Sequence, residues 1–301
     1  ILTQVEGSFS TSDAQSIAIS TDGMTAYVAD GADGLRILDV ADPAAISELG
    51  VFDTTDAQSV VIDGTTAYVA DGVAGLRILD VTDPAAIVEL GSFVTTDARS
   101  VTIDGMMTYL ADGASGVRVL DVTDPAAIVE LGSFATTDAR SVTIDGTMTY
   151  VADGVGGVRV LDATDPAAIV ELGSFATTDA HLVATSGMTV YVADGAGGLR
   201  VLDVTDPTAI FELGSLSTKA VASVMLDGTL AYVADGTDGM RILDVSDPAV
   251  ILEVDSFATS GTAQHVTLDV VGRRAYVSDG ADGIVVFSST DFLETGNFTY
   301  T

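Results

Sequence analysis

The chain has 301 residues, with 11 basic against 44 acidic side chains and a net charge of −33. That balance excludes nucleic acid, whose phosphates need a basic face, and it excludes docking on an anionic membrane surface. The chain has no Cys, which excludes a disulfide frame, a thiolate nucleophile and a zinc–thiolate site.

The first predicted element is a lone strand. LTQVEGSF (Leu2 to Phe9) has the pattern that returns further on as AIVELGSF. From there the chain is one unit written repeatedly. The tetrad Tyr-hydrophobic-Ala/Ser-Asp, followed by Gly, begins at Tyr27, Tyr68, Tyr109, Tyr150, Tyr191, Tyr232 and Tyr276, in steps of 41 residues and a last step of 44. Residues 91–131 and 132–172 differ at only six positions, which points to recent copying of one unit.

Each unit predicts four short strands, named A to D. In the third unit strand A is Arg99 to Ile103, β-branched and followed by the hairpin signal Asp104-Gly105. Strand B is Met107 to Asp112. After a loop, strand C runs from Val117 to Val122. Thr123-Asp124-Pro125 breaks it, because Pro has no ladder donor. Strand D is Ala127 to Phe134. Strands A to C are apolar on both faces, as strands sandwiched between sheets should be, whereas D alternates as an outer strand would.

Four antiparallel strands per unit, in seven units, predict an all-β seven-bladed β-propeller over residues 1–291. Only one terminal pattern can fill the outer position of the last blade, and a half-unit at the start is what ring closure calls for, so the N-terminal strand is expected there. A further outer-strand pattern, FLETGNFTY (Phe292 to Tyr300), is then surplus. The segment 292–301 reads as a tail or linker, or as an edge strand for self-association.

The string YVADG-x-x-GLRILDVTDP resembles the LVIVD-type repeat, a relative of the YVTN repeats of surface-layer propellers. The resemblance covers essentially the whole chain. It implies a propeller on a secreted or cell-surface protein of a bacterium or archaeon, and it brings no catalytic residue. The last unit departs from the pattern, with Val285 for the strand-C Arg, Ser288 for the Asp, and no Asp-Pro.

In a propeller strand A lines the central channel, and the D–A and B–C loops share one face. The D–A loops supply Asp13, Asp56, Asp97, Asp138 and Asp179 at matching positions. Such a ring would either recruit a hard cation, for which calcium is the candidate cofactor, or cap its own turns by accepting backbone N–H bonds. Two residues on stand Gln15, Gln58, Arg99, Arg140, His181, Ala222 and Gln264, which vary while their surroundings repeat. Of these, Gln58, Arg99, Arg140 and His181, together with Asp33 in the B–C loop, are candidate ligand contacts. Drift at an exposed position is the competing explanation. The six strand-C arginines, Arg36, Arg77, Arg118, Arg159, Arg200 and Arg241, call for repeated Asp partners on the same or a neighbouring blade. The recurring Asp30-Gly31 and Gly34 read as B–C turn chemistry. DGADG lacks the spacing of an EF-hand loop.

His181 and His265 are the only histidines, and no GxSxG, HExxH or P-loop accompanies them. The leading expectation is a non-catalytic propeller, secreted or at the cell surface, with a protein or glycan partner. The alternatives are a polysaccharide-acting enzyme at the channel mouth and a cation-dependent adhesin. The near-absence of Lys fits a saline habitat as well as it fits an ordinary acidic extracellular protein. No run is long enough for a membrane span. The chain opens on Ile1 rather than Met and reads as an excised piece, with any signal peptide or anchor outside it.

Overall fold

Period-two alternation of Val, Ile, Leu, Ala and Tyr gives each unit one antiparallel sheet with two apolar faces. The computed structural model describes residues 4–269 and 273–288, and these form seven four-stranded sheets arranged as blades around an axis. Blade 1 is Ser16–Ile19, Thr25–Ala29, Leu35–Asp39 and Ser47–Phe52, strands A to D in order. Blade 3 is Ser100–Asp104, Met107–Ala111, Val117–Asp121 and Val129–Phe134. Blade 7 takes its strands A to C from His265–Asp269, Arg274–Ser278 and Ile284–Ser288. Its outer strand is Gln4–Phe9 from the other end of the chain. The expected closure by the N-terminal strand is therefore present. The surplus pattern at 292–301 lies outside the described residues.

The core is divided into seven layers, one in each seam between blades. Tyr68, Ala70, Leu76 and Ile78 of blade 2 meet Ala98, Val101, Leu110 and Leu120 of blade 3. The alternate residues Ala67, Val69 and Leu79 of blade 2 face blade 1. One sheet thus feeds two seams, which is why strands A to C show no polar face. The closing seam is built alike, with Ile17, Val28 and Leu38 of blade 1 against Tyr276, Ile284 and Val286 of blade 7.

Two local predictions need correction. The A–B loop residues are Gly105 and Met106, not Asp104-Gly105, because Asp104 pairs with Met107 in the ladder. Gly105 takes φ +58°, the first position of a type II′ turn, whose twist suits the flanking strands. Strand D starts at Val129 rather than Ala127, because Pro125–Ala127 forms a 3-10 turn. Asp124 caps that turn by accepting from the Ala126 N–H at 3.1 Å.

That turn also holds the next blade. A Cβ on Gly91 of blade 2 would lie 1.7 Å from the Pro125 carbonyl oxygen of blade 3. The same close approach pairs Gly7 with Pro43, Gly50 with Pro84, Gly132 with Pro166, Gly173 with Pro207 and Gly214 with Pro248. Only a residue without a side chain lets the backbones meet there. In blade 6 the equivalent register is held by Asp255, opposite Ile242, and the unit that follows has no Asp-Pro.

Candidate functional site at the channel mouth

The B–C loops and D–A loops interlock on one face. Gly31 and Ala57 exchange backbone hydrogen bonds of 3.0 and 2.8 Å across the seam between blades 1 and 2, and Gly280 and Ala14 do the same, at 3.3 and 2.9 Å, across the closing seam. Gly31 and Gly34, at φ +54° and +84°, give the B–C loop its turn. Asp30 is more than turn chemistry. Its repeat mates are fully buried anchors. Asp112 accepts from the Thr96 and Asp97 N–H groups at 3.0 and 2.6 Å, which fixes the incoming D–A loop. Its other oxygen accepts from Arg118 Nε at 2.7 Å, and Arg118 Nη1 reaches Glu130 Oε2 at 2.9 Å. Burial alone would raise the Asp112 carboxyl. The Arg118 guanidinium and the Asp97 N–H outweigh it and hold the pKa below the usual carboxylate range.

The Asp–Arg–Glu ladder recurs in blades 1 to 6, with Asp partners at 2.5–2.7 Å. The arginines therefore do find repeated Asp partners, on their own blades. The strand-D glutamates, from Glu48 to Glu253, are partners that the sequence reading missed. Asp33 belongs to this frame as well. It bonds Arg36 Nη2 at 2.8 Å and Ser12 Oγ at 2.7 Å, and it is not part of the channel wall.

The D–A loops pin the start of each strand A at the axis. There a cavity of about 760 Å³ opens, walled by the first strands of the blades. All seven residues of the variable position, from Gln15 to Gln264, line it. Gln58, Arg99, Arg140 and His181 are thus brought together as a rim. Within the rim, blades 3 to 5 form a relay. Arg99 reaches its own Asp97 and the next blade's Asp138, both at 2.8 Å. Arg140 repeats the step to Asp138 at 2.9 Å and Asp179 at 2.8 Å. His181 takes the third place, with Nε2 at 2.8 Å from Arg140 Nη1 and 3.0 Å from Asp179 Oδ2. One ring nitrogen can accept from the first or donate to the second, not both. Burial, then the Arg140 charge, lowers the imidazole pKa, so the ring is neutral near pH 7.

The five aspartates of the proposed cation ring are all half-buried beside this rim. Asp97, Asp138 and Asp179 are engaged by the relay, and Asp56 accepts from Gln58 Nε2 at 3.0 Å. Among the described residues no group of three or more His, Cys, Asp or Glu is placed to hold a metal ion.

Deeper in the wall, each strand A opens with Ser16, Ser59, Ser100, Ser141, Leu182, Ser223 or His265. His265 breaks the serine series and was not singled out as a contact. Its place in that series, visible once the units are aligned, is the signal. Its Nδ1 is buried without a hydrogen bond, and burial pulls the ring's pKa down to about 4. Val61, Ala184 and Met225 share the next level of the wall with Thr102 and Thr143, whose hydroxyls donate to the Val142 and Val183 carbonyls at 2.6 Å. Both histidines of the chain therefore face this one cavity.

No helix among the described residues is long and apolar enough to cross a membrane. A search of curated protein sequences finds no match. Among solved structures, the chain is similar to the WD40 β-propeller domain of Doa1 at 9% identity and TM-score 0.77, covering 96% of this chain and 98% of that one. It is similar to U3-55K at 10% identity and TM-score 0.75, covering 95% and 98%. It also resembles BamB from Moraxella catarrhalis at 16% identity and TM-score 0.64, covering 92% and 83%. Likenesses at these identities concern the fold alone. Six consecutive stretches, 12–54, 55–95, 96–136, 137–177, 178–218 and 220–259, match the LVIVD repeat, and the chain belongs to the LVIVD-repeat family.

Proposed function

We propose that the protein is a non-catalytic binding module, working outside the cell, whose repeated frame presents a ligand site at the channel mouth. One observation carries this reading. The position that varies between otherwise copied units is the one that rims a cavity of about 760 Å³, a volume within the usual range for small-molecule sites. The acidic composition is in keeping with an extracellular place. The test is a binding screen against defined panels of surface polysaccharides and peptides. Wild type is compared with a variant carrying Ala at 58, 140 and 181, as Ala222 stands naturally. Binding that disappears in a variant with unchanged melting supports the reading, and binding that is indifferent to the variant refutes it.

A second reading is catalysis on polysaccharide, favoured by the His181–Asp179 contact of 3.0 Å inside the cavity. Incubation with uronate polysaccharides, followed by ultraviolet absorbance of unsaturated product and by reducing ends, separates the two. A calcium-dependent adhesin is the third, and calorimetry with calcium against a chelated control decides it. Self-association through 292–301 is read from sequence alone. Deleting that segment and sizing the product tests it.

A further inference from the structure

We infer that the ligand of the mouth is an uncharged saccharide. This rests on reading the mouth as a binding site and adds the chemistry of its occupant. The rim's charges are closed on one another. Arg99 is ion-paired with Asp97 and Asp138, and Arg140 with Asp138 and Asp179, all at 2.8–2.9 Å, while Arg140 Nη1 lies 2.8 Å from His181 Nε2. An anion entering the arc meets Asp138 between the two arginines, and a cation meets the arginines themselves. Within this arc neither finds an unpaired counter-charge, whereas Asp13 and Asp56, outside it, have no ion-pair partner among the described residues.

What remains free is a set of uncharged donors and acceptors. Gln15 and Gln264 line the cavity and make no side-chain hydrogen bond among the described residues. His265 lines it too, and its imidazole Nδ1 is buried and makes no hydrogen bond among the described residues. A buried polar group left without a partner is costly, so a ligand hydroxyl that reaches this ring gains more than one facing water. Planar amide and imidazole groups suit the paired hydroxyls of a sugar. The apolar side chains of the wall, Val61, Leu182, Ala184 and Met225, suit its C–H faces. Among the described residues the cavity lining has no Phe, Tyr or Trp, so recognition depends on the hydroxyls more than on stacking against a large ring.

The experiment is titration of the folded chain with four probe sets. These are neutral gluco-, manno- and galacto-oligosaccharides, uronate-containing oligosaccharides, Lys/Arg-rich peptides and Asp/Glu-rich peptides, each at low and high salt. The expected result is binding of a neutral oligosaccharide with an affinity that salt leaves unchanged. Gln264→Leu and His265→Ser each weaken it about tenfold while melting is retained. Absence of binding by every neutral saccharide overturns the inference. Salt-sensitive binding of a charged probe that the two variants weaken also overturns it, and leaves the mouth standing as a site. Saccharide binding that neither these two variants nor the Ala variant at 58, 140 and 181 alters overturns both.

Discussion

Asp112→Asn tests whether the buried carboxylates are what join loop, strand and blade. Asp112 is fully buried. It accepts two backbone N–H bonds and one guanidinium bond. The amide keeps the shape and removes the charge, and one of its two positions then turns N–H donors toward donors. Removing one partner of a buried, hydrogen-bonded pair costs about 3–5 kcal/mol. Arg118→Val should cost less, because Arg118 is 22% exposed and regains water, while the carboxylate keeps its backbone donors. Blade 7 is the natural control. It has Val285 in place of the Arg, and its buried Asp279 is held by Thr259 Oγ1 at 2.6 Å and the Gly261 N–H at 2.8 Å. Urea unfolding followed by far-ultraviolet circular dichroism gives both values, provided m is unchanged. A loss below about 1 kcal/mol for Asp112→Asn, which is the scale of an ordinary neutral hydrogen bond, or a larger loss for Arg118→Val, refutes the reasoning. The pH dependence has the matching sign. The folded pKa of Asp112 lies below 3.8, so its contribution is present above that value and disappears as pH falls through the folded one.

Three other outcomes follow from the same frame. His265 has its pKa lowered from 6.5 to about 4, so the unfolded chain binds the proton first and stability falls as pH drops through that window. The loss is at most about 3 kcal/mol. His265→Ser should remove this sensitivity in melts at pH 7 and pH 4, and an unchanged pH difference would count against it. Gly132→Ala places a methyl 1.7 Å from the Pro166 oxygen and should cost about 3 kcal/mol or more. Asp255→Gly, beside the unit without Asp-Pro, should cost little, and equal melting losses would contradict the seam geometry. Gln58→Arg should bridge Asp56 and Asp97 as Arg99 bridges Asp97 and Asp138, raising stability by about 1 kcal/mol. A lowered melting temperature would show that the relay does not extend.

The legible part of the site was the variable position. Gln58, Arg99, Arg140 and His181 stand out because copying makes every difference visible, and the propeller places equivalent residues on one circle. Asp33 also varies, yet it is tied to Arg36 and Ser12, a contact set by side-chain reach rather than by position in the unit. His265 is not legible as a contact, because position along strand A does not by itself say which side chains face the channel and which face a seam. The Gly–Pro contact was hidden for a related reason. Its two halves lie in different units, and only the absence of both at Asp255 and after Ser288 betrays them.

The sequence by itself determined the architecture. Period-two apolar strands, Gly turns and a repeat of 41 residues admit few arrangements, and a half-unit at the front admits ring closure. Tertiary structure decided which charges cancel. The bridges from Arg99 to Asp138 and from Arg140 to Asp179 cross from one blade to the next. Coulomb and hydrogen-bond energies act over a few ångströms, and no spacing along the chain reports such distances between blades.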